Sequence, residues 1–178
     1  LRLILARKYG CRPLFVAMRP ELGLMLDGND AALLIGDAAL RASLENGGWP
    51  ATGGGGRGRR VLDLASEWHE MTGMPFVFAL WACRPVVGVR EVSAALHLAL
   101  AEGLAHLDEI SMDESARTGL PSGMISSYLR YNIGYRLGEA DSDSLRFFFR
   151  LCRDEGLLGA QAAVSAIAAA TVRPARAS

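Results

Sequence analysis

The order of apolar runs and helix signals predicts an α/β fold, with a parallel-rich sheet in its first half and a helical return after it. Three observations carry this. Short apolar runs alternate with helix signals from Pro13 to Cys83. The run Phe76-Val77-Phe78-Ala79-Leu80-Trp81-Ala82-Cys83 has no polar alternation, which is the pattern of a strand buried on both faces. Beyond Pro85 the spacing of apolar residues turns helical.

Taken in order, Leu1 to Tyr9 places Leu1, Leu3, Ile4, Leu5 and Tyr9 on a helix that stops at Gly10. This helix has no N-terminal cap and the first residue is Leu, so the chain is expected to begin mid-protein. Pro13-Leu14-Phe15-Val16-Ala17 reads as a short strand, and Pro20 sits in the first turn of a brief helix running to Met25. Asp27-Gly28-Asn29-Asp30 is turn chemistry. The central strand is Ala31-Ala32-Leu33-Leu34-Ile35, broken by Gly36; Asp37 then caps a helix from Ala38 to about Leu44. A strand that ends in Gly and turns into a helix N-terminus aims open N–H groups at one spot, which suits a carboxylate or a phosphate. The alternative is a plain strand-to-helix turn whose Asp does nothing but cap.

Glu45 to Arg60 is a loop holding Gly47-Gly48 and Gly53-Gly54-Gly55-Gly56. No Gly-Lys-Ser/Thr follows, so residues 47–58 read as a surface insertion rather than a phosphate cradle, with Arg57, Arg59 and Arg60 solvated. Arg60 to Leu64 is a predicted strand and Ala65 to Met71 a helix of a turn or two; Thr72-Gly73-Met74-Pro75 turns into the long strand Phe76 to Cys83. Val92, Leu96, Leu100, Leu104 and Leu107 recur at helical steps along an amphipathic helix from Glu91 to Leu107. A shorter helix covers Ser111 to Arg117. Pro121 starts another, with Met124, Tyr128 and Tyr135 along one side and Ile125 and Leu129 beside them. Asp141-Ser142-Asp143-Ser144 caps a last firm helix, Leu145 to Glu155, whose buried face is Leu145, Phe148 and Cys152. Ala160 to Ala170 continues as alanine-rich helix before a disordered end. The chain therefore divides into residues 1–75, mostly an α/β lobe with the Gly36-Asp37 turn; residues 76–159, a return strand and helical part; and an Ala-rich tail, residues 160–178.

The balance of 19 basic and 19 acidic residues leaves no electrostatic footprint for nucleic acid. Lys8 is the single lysine; the other basic residues are arginine. Cys11, Cys83 and Cys152 are odd in number and far apart, which argues against a disulfide framework and for a reducing, cytoplasmic setting. The run Met74 to Cys83 is too short to cross a bilayer, and no leader pattern opens the chain. His69, His97 and His106 lack zinc-pair spacing, so no metal is expected. No Gly-x-Ser-x-Gly elbow and no dinucleotide fingerprint appear, so no cofactor is expected.

Two segments carry a more specific signal. The first is Ile35-Gly36-Asp37-x-Ala39-Leu40. The second runs Asp63-Leu64-x-x-Glu67-Trp68 and then Thr72-Gly73-x-Pro75-Phe76-Val77-Phe78-Ala79-x-Trp81. In this order they resemble the menaquinone-biosynthesis family that contains chorismate dehydratase, and the likeness extends over about Leu1 to Leu158. The resemblance implies a type II periplasmic-binding-protein-like bilobed fold, here without its N-terminal strands. It also implies loss of water from chorismate to give 3-[(1-carboxyvinyl)oxy]benzoate in the futalosine route to menaquinone. The implied enzyme is a hydro-lyase, a carbon–oxygen lyase.

The sister enzyme, which cleaves cyclic dehypoxanthine futalosine, has a histidine base where this chain has Gly36, so the dehydratase branch is the nearer one. The implied partner is a small carboxylate, chorismate, with neither nucleic acid nor membrane. Gly36, Asp37 and Ala38 would form one lip of the site, and Thr72 with Gly73 a second. Thr72 could equally serve the turn, Asp63 and Glu67 are read as structural, with Glu67 paired to an arginine, and Trp68 and Trp81 are read as core. The family's catalytic asparagine strand and serine hinge precede the matched region, so no catalytic residue is assigned and this polypeptide alone is expected to be weakly active or inactive. Apolar surface is expected to lie open along Phe76 to Cys83 and on the Tyr128 helix. The rival reading is a non-catalytic lobe that binds a small carboxylate.

Overall fold

A computed structural model describes residues 1–48, 60–82 and 88–158. Its regular elements are α-helices α1 (Arg2–Tyr9), α2 (Leu22–Leu26), α3 (Asp37–Glu45), α4 (Leu64–Thr72), α5 (Val89–Ala105), α6 (Leu107–Thr118), α7 (Ser122–Ser127) and α8 (Glu139–Asp154). A π-helical turn, Tyr128–Asn132, continues α7.

The main core gathers α1, α4 and α8 around Trp68, which is 0% exposed. Local chemistry sets each of these helices. The Asp63 carboxylate accepts the Ser66 N–H at 2.8 Å and so opens α4. Gly10 and Gly73, both in the left-handed region, close α1 and α4. Asp141 accepts the Gly138 N–H at 2.7 Å and starts α8 six residues before the predicted Leu145. Ser142 and Ser144 thus lie inside the helix, both buried, where a cap was predicted. Leu3, Ile4 and Cys152 complete the buried cluster, with Leu64, Met71, Phe76, Phe147 and Phe148 packed on it. The Trp68 ring meets Phe76 edge-on at 5.3 Å and Phe148 at 5.9 Å between centroids. Its indole N–H donates to the Pro75 carbonyl and to Ser144 Oγ, each at 3.1 Å, and the Ser144 hydroxyl donates to the same carbonyl.

Helices α6 and α7 pack on each other, with Leu107, Leu120 and Ile125 buried, and α3, with Ala42 buried, is tied to α6 by polar contacts from Arg117 and Arg41. The predicted helix Glu91–Leu107 is instead broken at His106 (φ −113°, ψ 24°), so that Leu107 begins α6. Val92, Leu96 and Leu100 are half-buried along α5. The brief helix predicted from Pro20 begins at Leu22, with Glu21 as its cap residue. None of the described helices is long and apolar enough to cross a membrane.

The predicted sheet is overturned. Among the described residues there is no strand, so the bilobed α/β, periplasmic-binding-protein-like expectation does not hold for this structure. Segments 13–17, 31–35, 60–62 and 76–82 lie between helices with no ladder partner among the described residues. Backbone hydrogen bonds outside the helices all join residues close in sequence. A strand forms only when a second strand takes up its N–H and C=O groups. These runs are also not the buried ones. Leu14 is 96% exposed, Ile35 76% and Trp81 82%, which corrects the core reading of Trp81. Phe78, Leu80 and Tyr131 are exposed as expected, while Phe76 is drawn into the core and Tyr128 is half-buried. Cys83, Arg57, Arg59, most of the Gly-rich loop and the alanine-rich tail fall outside the described residues.

Trp68→Ala is expected to cost about 3–5 kcal/mol of stability in urea unfolding. Ser144→Ala should cost about 1 kcal/mol, because the indole N–H retains the Pro75 carbonyl. An equal loss from both variants would contradict Trp68 as the centre of the core.

Candidate functional site

The Gly36 turn opens α3. Gly36 itself is the cap residue, at φ 63° and ψ −140°, and Asp37 is the first helical residue rather than the predicted cap. This backbone lies in the left-handed half of conformational space, where any side chain is strained. A Cβ at Gly36 would meet nothing within 4 Å, so backbone angle alone selects glycine there. Ala39 and Leu40 donate their N–H groups to the Gly36 carbonyl, at 3.0 and 3.1 Å. The Asp37 and Ala38 amides precede the first helical bond and so have no acceptor within α3. The Asp37 carboxylate turns sideways and accepts from Arg117 of α6 at 3.1 Å. One turn on, Arg41 of α3 reaches back to the Thr118 carbonyl at the end of α6, at 2.6 Å.

The second predicted pair sits at the other kind of helix end. Thr72 closes α4. Its hydroxyl donates to the Trp68 carbonyl at 2.8 Å and accepts the Met74 N–H at 3.1 Å. The Gly73 N–H donates to the His69 carbonyl at 2.7 Å. Both residues are engaged in ending the helix. No hydrogen bond or ion pair among the described residues joins Thr72 or Gly73 to the Gly36–Ala38 turn. The two predicted lips lie on different helices, Gly36–Ala38 at the start of α3 and Thr72 with Gly73 at the end of α4.

A polar cluster that sequence reasoning only half foresaw lies beside the core. Glu67 is buried, and accepts from Lys8 Nζ at 2.6 Å and from the Tyr9 hydroxyl at 2.5 Å. Lys8 also donates to Glu70 at 2.6 Å. The partner of Glu67 is thus the single lysine, not the predicted arginine. The bond from Lys8, and then that from Tyr9, holds the Glu67 carboxyl below its usual range, while Glu67 pushes the Tyr9 phenol and the Lys8 ammonium up. The available signal was the spacing of Glu67 and Glu70, three residues apart on one face of α4. Its partner, 59 residues away, left no local trace. The same geometry recurs at Glu155, which Arg12 and Arg7 grip at 2.6 and 2.5 Å.

The three histidines are each turned to a nearby carbonyl: His69 to Met74, His97 to Ser93 and His106 to Glu102. Among the described residues no three of His, Cys, Asp and Glu gather as a metal set. Among the described residues, open depressions run along α5 and α6 past Glu102, His106 and Glu109, and along α4 past Ser66, His69 and Phe76. The Gly36 turn lines neither of them.

Residues 1–154 match a family model described as menaquinone biosynthesis. A chorismate dehydratase of Thermus thermophilus is 34% identical over 152 residues, which cover 82% of this chain and 55% of that relative. A chorismate dehydratase of Campylobacter jejuni is 39% identical over 54 residues, 30% of this chain and 19% of the relative. The chain thus spans about half the length of the Thermus protein and less of the other.

Because the Glu67 carboxyl titrates lower in the folded chain than in the unfolded one, its stabilising bonds are fully present above the ordinary glutamate value of about 4.3. They are lost as pH falls through its depressed folded value. Glu67→Gln should therefore melt at a lower temperature than the parent at pH 7, with the gap closing as pH is lowered toward 3. A gap independent of pH would show that the Lys8 and Tyr9 contacts do not depend on the charge.

Proposed function

The chain belongs to the menaquinone-biosynthesis family, and from that premise we propose that it acts as a chorismate dehydratase. The observation that carries this reading is the 34% identity with the Thermus thermophilus chorismate dehydratase over most of the chain. The reaction removes water from chorismate and leaves 3-[(1-carboxyvinyl)oxy]benzoate. One C–H bond and one C–O bond break, and the ring becomes aromatic, which makes the elimination strongly downhill. The enzyme's task is then to hold the substrate, to keep competing chemistry out and to manage one proton.

Chorismate carries two carboxylates. We assign the Gly36–Ala38 turn to one of them, because the N-terminal amides of α3 have the polarity a carboxylate needs. Gly36 has no side chain to act as a base, which favours the dehydratase over the futalosine-cleaving relative. A histidine there would sit in open space but on strained backbone. Thr72 and Gly73 remain candidates for a second contact, although their polar groups already serve the end of α4.

The whole natural protein that contains these 178 residues is expected to turn chorismate into a product about 18 mass units lighter, from loss of one water, with an aromatic ultraviolet spectrum. Chorismate recovered unchanged from folded protein would overturn the assignment. Gly36→Ala is expected to lose about 1–3 kcal/mol of stability from strain and about tenfold or more in kcat/KM. Unchanged kinetics in Gly36→Ala would remove the turn from the site while leaving the reaction standing.

A further inference from the structure

The run Phe76-Val77-Phe78-Ala79-Leu80-Trp81 begins in the main core and then leaves it. Phe76 meets the Trp68 and Phe148 rings edge-on and is anchored there. Phe78 touches the Phe76 ring at 4.8 Å between centroids, yet is itself 59% exposed. Leu80 is exposed as well, and Trp81 more so than either. The six residues carry no charge, and the indole N–H is their one polar side-chain group. No backbone hydrogen bond among the described residues reaches 76–81.

Two kinds of group are thus left to water on one short segment. Phe, Leu and Trp side chains lying together in the open mark a contact surface rather than ordinary protein exterior. The amides beside them need partners as soon as that surface is covered. The occupant must therefore be apolar and uncharged where it meets the rings, and must bring polar groups for the backbone. Because Phe76 is fixed in the core, the run is held in place to receive it.

The length of the relatives points to what that occupant is. The match covers 82% of this chain but only 55% of the Thermus thermophilus chorismate dehydratase, so almost half of that protein lies outside it. A segment joined to this chain covalently meets the run at an effective concentration on the order of millimolar, well ahead of a separate molecule. We propose that Phe78, Leu80 and Trp81 form an intramolecular docking face, whose occupant is the part of the whole natural protein lying outside these 178 residues. The proposal stands apart from the reaction and does not depend on it.

Hydrogen exchange on the whole natural protein tests this. The amides of Val77 to Trp81 are expected to exchange about a hundredfold or more slower than in an unstructured peptide. Exchange at the free-peptide rate overturns the proposal. In the same protein Trp81→Asp should lower Tm by about 5 °C or more, and Trp81→Phe, which keeps an apolar ring, by less than half as much. A Trp81→Asp protein that melts with the parent also overturns it. If that variant does not fold, the exchange measurement on the parent decides alone. Light scattering separates the occupants: protection that fades on dilution, or a dimer that Trp81→Asp turns into monomers, assigns the face to a second copy and overturns the intramolecular reading.

Discussion

The Pro75 carbonyl is the point on which the main core turns. It accepts from both the Trp68 indole and the Ser144 hydroxyl, and those groups come from α4 and α8, 76 residues apart. An aromatic ring this large can be fully buried only if its N–H finds a partner. Here the partner is the turn that follows its own helix, closed by Gly73. The turn must therefore hold its shape for the core to form, and the Thr72 hydroxyl helps by bonding to both sides of it. Once Trp68 is seated, Phe76, Phe147 and Phe148 have a surface to pack on, and α1 covers it with Leu3 and Ile4.

Next to Trp68 in sequence, Glu67 ties α1 down by charge. A buried carboxylate is costly unless it is fully bonded. Lys8 and Tyr9 supply that bonding from the last turn of α1, just before Gly10 ends the helix. Adjacent residues on one helix thus carry out two separate jobs, apolar closure by Trp68 and polar registration by Glu67. The quoted Glu67-Trp68 pair is in this structure a packing device rather than a site of chemistry.

How much of this the sequence disclosed follows from how local each cause is. Helix ends were legible where the signal and its effect lie within a turn of one another, as at Gly10 and Gly73; Asp63, placed by the sequence in a strand, instead caps α4 through the Ser66 N–H. The start of α8 was misplaced because two Asp–Ser pairs offered several caps and the backbone took Gly138 with Asp141. The strands were misread for a different reason. An apolar run such as Ala31–Ile35 records a preference for burial, whereas pairing is a property of two segments at once, and none of the described residues pairs with it. Long-range polar contacts, Lys8 to Glu67 and Arg117 to Asp37, were invisible for the same cause.

The two candidate turns look alike in sequence, each a glycine at positive φ beside a short polar residue, yet physics separates them. Gly73 ends a helix, where carbonyl groups face outward and the dipole is negative, and its own N–H is already bonded to His69. Gly36 begins one, where amides face outward and the dipole is positive. A carboxylate is repelled by the first arrangement and attracted by the second. On this contrast the amides at Gly36 suit an organic acid better than the end of α4 does, where the Thr72 and Gly73 polar groups already serve the helix.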